Sequence, residues 1–340
     1  MHAGLEPTTT SHGDNGALEP AFRASLSDAV SLYRHMTTLR LVSARMVDLQ
    51  RSEKVAFHSS CIGEEAVIAA ATLAARENDW VFPGAREWGA ALVRGLPIAD
   101  YMHHAFGSAK DPAKGHSAPD HPPARRFRVA PASGVPGAHL PQAVGAAWAA
   151  KIKKDDVATI AIFGEAVAST GDLHNALNFA GVFKAACVFV CRTGHGRSAT
   201  ARPESFAAAR DRALAYGIAS ASVDGGDALA VLTVVRAALA RAVSGKGATL
   251  IEAVTQPFAA GEGDPLVRLK RVLEREKLLD AAADEAMGRE IRAALDAAVT
   301  EAEQAAPPAT STIFEDVYAE MPEHLRLAQI AQKESSPWRR

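Results

Sequence analysis

The chain has 340 residues, 48% apolar and 22% charged, enough to build a sizeable core and too apolar to stay disordered along its whole length. Lys and Arg number 37 against 39 Asp and Glu, so no basic excess exists to neutralise a nucleic-acid backbone. The apolar runs fall short of the roughly 20 residues that a spanning helix needs, and no membrane span is expected.

The first residues, Met1 to Pro20, are rich in Gly, Thr, Ser and Pro, lack an apolar leader core, and carry Glu6, Asp14 and Glu19. They read as part of a flexible tail over 1–24 on a cytoplasmic protein. A single domain over 25–335 follows, helical from about 266. Leu32, Met36, Leu39, Val42 and Met46 recur at helical steps and predict a helix over 26–51. Residues 63–75 predict an Ala-rich, closely packing helix, and Phe82-Pro83-Gly84 reads as a break. A short helix is expected over 86–94. Residues 107–137 gather Gly, Pro and His in a long irregular stretch, as functional loops do. A helix over 139–151 closes this half.

From residue 157 the rhythm changes. Apolar strands are expected over 157–163, 187–191, 219–223 and 249–254, separated by helices over 171–183 and 228–243. Such alternation predicts an α/β fold, a parallel sheet covered by helices on both faces. Cys187 and Cys191, four apart on one strand, share a face and read as small buried hydrophobes. Beyond Leu266 come an amphipathic helix over 280–303, an edge strand or turn, and a final helix. His103 and His104 read as surface residues on a helix.

Ligands of parallel sheets bind beyond the carboxyl ends of the strands. At one such end Gly164 permits a tight turn, Glu165 presents a carboxylate, and Ser169, Thr170 and Asp172 are N-cap types for the next helix. That arrangement suits a diphosphate and a divalent cation, and equally a plain strand–turn–helix connection. At a second end, CRTGHGRSAT gathers Arg192, His195 and Arg197 around glycines, suiting an anion or an ordinary exposed loop. Ser169 and His174 have no third partner, which excludes a hydrolase triad between them.

Several segments in order carry a resemblance. They are GEEA at Gly63, DWVFPGAREWGAALVRG at Asp79, LPQAVGAAWAAK at Leu140, IFGEAVASTGDLHNALNFAGVFKAACVFVCR at Ile162, VDGGDALAV, TLIEAVT at Thr249 and FEDVYAEMPEHLR. From about Tyr33 to Gln329 the chain resembles the alpha subunit of the thiamine-diphosphate-dependent 2-oxoacid dehydrogenases, most of all the branched-chain type. The resemblance implies the thiamine-diphosphate-binding fold. It also implies thiamine diphosphate and Mg²⁺ as cofactors, a 2-oxoacid substrate, a dehydrogenase beta subunit in an assembly of two alpha and two beta chains, and a lipoyl-bearing acyltransferase. It places Arg86, Gly164, Glu165, Ala166 and Arg192 at the cofactor, with Glu165 and the Gly196 carbonyl as metal ligands and His121 as the catalytic candidate on the substrate side.

The departures from the family pattern are specific. Ala166 replaces its third glycine, Ala85 its tyrosine before the arginine, and Thr193-Gly194 its Asn-Asn pair. After Thr255 the family's histidine-bearing, serine-rich loop is missing, and TQPFAAGEGDP joins the next helix directly. The resemblance therefore implies a decarboxylating oxidoreductase with a lipoyl disulfide as acceptor. Weakened metal–diphosphate binding and impaired lipoyl acylation are expected of it. The alternative is a non-catalytic relative, a scaffold or regulator of a paralogous complex.

Overall fold

The computed structural model describes residues 9–10, 24–132, 134–194, 209–256, 261, 263–315 and 318–335. In chain order the strands are β1 (Thr9–Thr10), β2 (Trp80–Pro83), β3 (Thr159–Gly164), β4 (Cys187–Thr193), β5 (Ala219–Asp224) and β6 (Thr249–Val254). Spatial order is β1-β5-β6-β4-β3-β2; the last five are parallel, and β1 pairs antiparallel with β5 at the edge. The expected α/β architecture is therefore present.

The helices are α1 (Leu26–Arg51), α2 (Glu65–Leu73), α3 (Ala90–Val93), α4 (Ile98–Phe106), α5 (His139–Lys153), α6 (Gly171–Phe183), α7 (Ala209–Ala215), α8 (Ala228–Arg241), α9 (Pro265–Arg275), α10 (Ala281–Gln304) and α11 (Glu323–Ser335). Strand residues alternate between two cores. Ile160, Ile162, Val188 and Val190 face the layer of α1, α2, α8 and α10, whereas Ala161, Phe163, Cys187, Phe189 and Cys191 face that of α5 and α6. The two cysteines do share a buried face, and burial pushes both thiols up, Cys187 to about 12.

Local sequence sets several ends. Ser25 caps α1 by accepting the Asp28 N–H (3.1 Å), while the Asp28 carboxylate accepts the Ser25 N–H (2.9 Å). Thr170 caps α6, its hydroxyl accepting the Leu173 N–H (3.3 Å). Helix α2 is buried along almost its whole length, and its alanines bring it close to α1 and α8.

Three expectations need correction, and one resolves between its alternatives. Phe82-Pro83 is not a break but the end of strand β2. This strand pairs with β3 on one side and meets only an isolated bridge, Val81 with Val129, on the other, so the missing proline N–H beyond that bridge is tolerated. After α10 the turn alternative holds: a 3₁₀ turn, Thr310–Ile313, precedes the expected final helix α11 among the described residues. His103 and His104 are buried, not exposed. His104 faces acceptors at both nitrogens, the Asp111 carboxylate (2.9 Å) and the Ala118 carbonyl (2.9 Å). Burial raises the Asp111 pKa, but His104 and the N–H groups of Ala113 and Gly115 outweigh that and lower it. Finally, Ala228–Lys246 is long and apolar enough to cross a membrane by length and composition; here 61% of it is buried, and α8 packs on α2 and the sheet.

Candidate functional site

The carboxyl ends of β2, β3, β4 and β6 converge at one edge of the sheet. From β2 the chain turns through Gly84 into a 3₁₀ turn, Ala85–Glu87, which carries Arg86 and Glu87. From β3 it passes Gly164 into a second turn, Glu165–Ser169, which carries Glu165 and Ala166. Gly164 lies in register with Arg192 of β4, and a Cβ there would sit 3.6 Å from the Arg192 Nη2. The sequence-predicted Arg86, Gly164, Glu165, Ala166 and Arg192 are thus brought to one edge. Gly196, His195 and Arg197 lie outside the described residues.

Glu165 accepts the Gly194 N–H through Oε2 (3.1 Å), tying the β3 turn to the end of β4. Gly194 has φ +91°, and a Cβ there would lie 2.2 Å from the Thr255 carbonyl oxygen. Thr255 in turn donates from its N–H and its hydroxyl to the Thr193 carbonyl, each at 2.8 Å. The departure from an Asn-Asn pair therefore has a physical counterpart. The end of β6 closes onto β4 so tightly that only glycine fits at 194.

Arg192 is 6% exposed, and its guanidinium is enclosed by carboxylates. Nε donates to Glu87 Oε1 (2.8 Å), Nη2 reaches the same oxygen, and Nη1 meets Glu64 Oε2. Burial opposes the charge on Arg192, but Glu87 and Glu64 outweigh it and raise its pKa. Glu64, the N-cap residue of α2, is 1% exposed, and its Oε1 lies 3.5 Å from Nη1 of the half-exposed Arg86. One carboxylate thus bridges both predicted diphosphate arginines. Neither of its oxygens accepts a well-directed hydrogen bond among the described residues.

Glu65 serves a different purpose. It pairs with Arg40 of α1, which also grips Asp264 at 2.9 and 3.0 Å, joining α1, α2 and α9 beside the site. His139 is buried against the same edge and donates from Nε2 to the Ile162 carbonyl (3.1 Å). Burial lowers its pKa.

His121 is 9% exposed, and both its ring nitrogens lack a hydrogen-bond partner among the described residues. The structure does not bond it to the arginines. Its neighbour Asp120 is locked instead. The Asp120 carboxylate accepts from His58 Nδ1 (3.0 Å) and from the Ser59 N–H, and Ser43 Oγ lies 3.0 Å from His58 Nε2. Ser43 and Asp120 are fully buried, so this Ser–His–Asp chain has no route to substrate and serves to fasten loops.

Sequence reasoning missed Glu64, Glu87 and the Asp120–His58 pair as parts of the site's frame. A signal existed for the first. Two glutamates open a helix that continues AVIAAAT, and acids entering so apolar a segment need cationic partners.

These features define an α/β protein with a polar, arginine- and carboxylate-lined site at the carboxyl edge of a parallel sheet. Comparison with known proteins fixes the family. Residues 33–258 match the model for the dehydrogenase E1 component. The 2-oxoisovalerate dehydrogenase subunit alpha of Bacillus subtilis is 33% identical over 315 residues, covering 86% of this chain and 96% of the relative. That of Pseudomonas aeruginosa is 33% identical, covering 86% of this chain and 78% of its own. The human mitochondrial subunit is 30% identical, covering 88% and 72%. The chain belongs to the dehydrogenase E1 component family.

Proposed function

We propose that the chain is the alpha subunit of a thiamine-diphosphate-dependent 2-oxoacid dehydrogenase of the branched-chain type. The observation that carries this is the match along nearly the whole Bacillus relative, together with the convergence of Glu165, Arg86 and Arg192 at one sheet edge. Two guanidinium groups beside a side-chain-free Gly164 fit a diphosphate. Thiamine diphosphate, when bound, supplies the carbanion chemistry of decarboxylation. Arg86 and Arg192 would hold its phosphates, Gly164 would let the group approach the backbone, and Glu165 would supply a carboxylate to Mg²⁺.

A beta subunit completes the active site, and a lipoyl-bearing acyltransferase takes the acyl group. No histidine lies between Val254 and Pro265, so acyl transfer to the lipoyl disulfide is slow. The non-catalytic alternative draws no support from the relatives, which carry the names of enzyme subunits. The test is co-expression with the beta subunit, followed by thiamine-diphosphate-dependent decarboxylation of branched-chain 2-oxoacids with an artificial electron acceptor. Turnover that requires the cofactor supports the reading. A folded alpha–beta complex that neither binds thiamine diphosphate nor decarboxylates overturns it.

A further inference from the structure

Glu64 is placed where a cofactor phosphate would otherwise find two free cations. Its Oε2 meets Arg192 Nη1, its Oε1 lies 3.5 Å from Arg86 Nη1, and the side chain is buried. Glu87 takes the remaining donors of Arg192, Nε and Nη2. The four side chains sum to zero charge, so these groups offer an arriving diphosphate no net attraction. The two carboxylates are not held equally. Glu87 accepts a directed hydrogen bond at 2.8 Å, whereas Glu64 accepts none among the described residues. Glu64 is therefore the one that can leave at least cost. As N-cap of α2 its side chain makes no capping hydrogen bond, so the carboxylate can swing without unwinding the helix.

We propose that Glu64 is a built-in counterion of the diphosphate site, bridging Arg86 and Arg192 in the free protein and yielding its place when a diphosphate binds. The inference rests on the cofactor reading above. It makes Glu64 a positioning residue that acts through the two arginines. Its charge keeps the buried guanidinium compensated when the site is empty, and each binding event must displace it. Anion affinity is accordingly lower than the arginine pair alone would give.

The test is calorimetric titration of the full chain, assembled with its beta subunit, with inorganic diphosphate and, separately, thiamine diphosphate, each with Mg²⁺. Wild type, Glu64→Gln and Glu64→Asp are compared, with folding checked by circular dichroism. Glu64→Gln removes one negative charge a few ångströms from the anion and is expected to bind inorganic diphosphate at least about tenfold more tightly. Glu64→Asp keeps the charge and stays within about threefold of wild type, which separates charge from packing. Equal or weaker binding by Glu64→Gln overturns the inference. If wild type binds thiamine diphosphate and Glu64→Gln gains nothing for either ligand, the counterion role fails and the cofactor reading stands. If none of the three proteins, folded and assembled with the beta subunit, binds either ligand, both fail.

Discussion

Replacing Arg192 with methionine tests whether the buried carboxylates at the sheet edge depend on it. Methionine has a similar length and no charge, so packing on β4 is largely kept. The change removes the Nε and Nη2 contacts to Glu87 and the Nη1 contact to Glu64, stranding the buried Glu87 and leaving the equally buried Glu64 only its 3.5 Å contact with Arg86. Removing one partner of a buried ion pair costs about 3–5 kcal/mol, because a charge is left without compensation. The unfolding entropy of a chain this long is on the order of 0.7 kcal/mol/K, so the melting temperature should fall by about 4–7 °C. Thermal unfolding of the full chain, followed by circular dichroism at neutral pH without added anions, measures it. The double variant Arg192→Met/Glu87→Gln should recover about 1–2 kcal/mol, since one stranded charge is gone. A shift below about 1 °C for Arg192→Met, or no recovery in the double variant, would refute the claim that these groups neutralise one another.

Two further outcomes follow from packing and linkage. Gly181→Ala in α6 would set a Cβ 2.2 Å from the Tyr216 carbonyl oxygen, and its urea midpoint should drop by the equivalent of about 1–3 kcal/mol. The Arg236 guanidinium donates to both oxygens of Asp28 at 2.7 Å and holds that carboxyl well below its usual range. The stabilisation from this depressed carboxyl is present above the unfolded pKa, near 3.9, and is lost as pH falls through the lower folded value. Arg236→Met should therefore cost about 1 kcal/mol or less at neutral pH, given the partial exposure of the pair, and the difference from wild type should shrink below pH ~3.9. A difference that persists unchanged into strong acid would mean that packing, not charge, joins α1 to α8.

The elements with strong local signals were legible. Helix α1 begins at a capping box and carries its apolar stripe through Met46, and strand β3 holds the apolar run Ile160–Phe163. Helix α6 lies between a threonine cap and a left-handed Lys184. Strand β2 escaped because four residues ending in proline resemble a turn until β3 is known to lie beside them. His103 and His104 sit on a helix whose polar residues suggested solvent, but Ser108, Asp111 and the Ala118 carbonyl arrive from later in the chain to cover them. At the site, the strand-end residues were visible in sequence because parallel sheets place ligands there. Glu64 and Glu87 were not, because their meaning lies in the arginine they enclose, which is distant in sequence.

The buried chain from Ser43 of α1 through His58 to Asp120 has hydrogen bonds within the roughly 2.6–3.2 Å reach of a nucleophile and its base, yet it is sealed from solvent. Connectivity alone therefore does not make a nucleophile; a face open to substrate does. The His58 ring packs tilted against Trp88 at 5.1 Å, Trp88 stacks on Tyr101 at 5.0 Å, and the Trp88 indole N–H donates to the Ser59 carbonyl at 2.9 Å. Because Trp88 directly follows Glu87, this aromatic stack works as a keel beneath the arginine site. A change that loosened His58 would be felt as a misaligned Glu87, several residues from any group that a cofactor could touch.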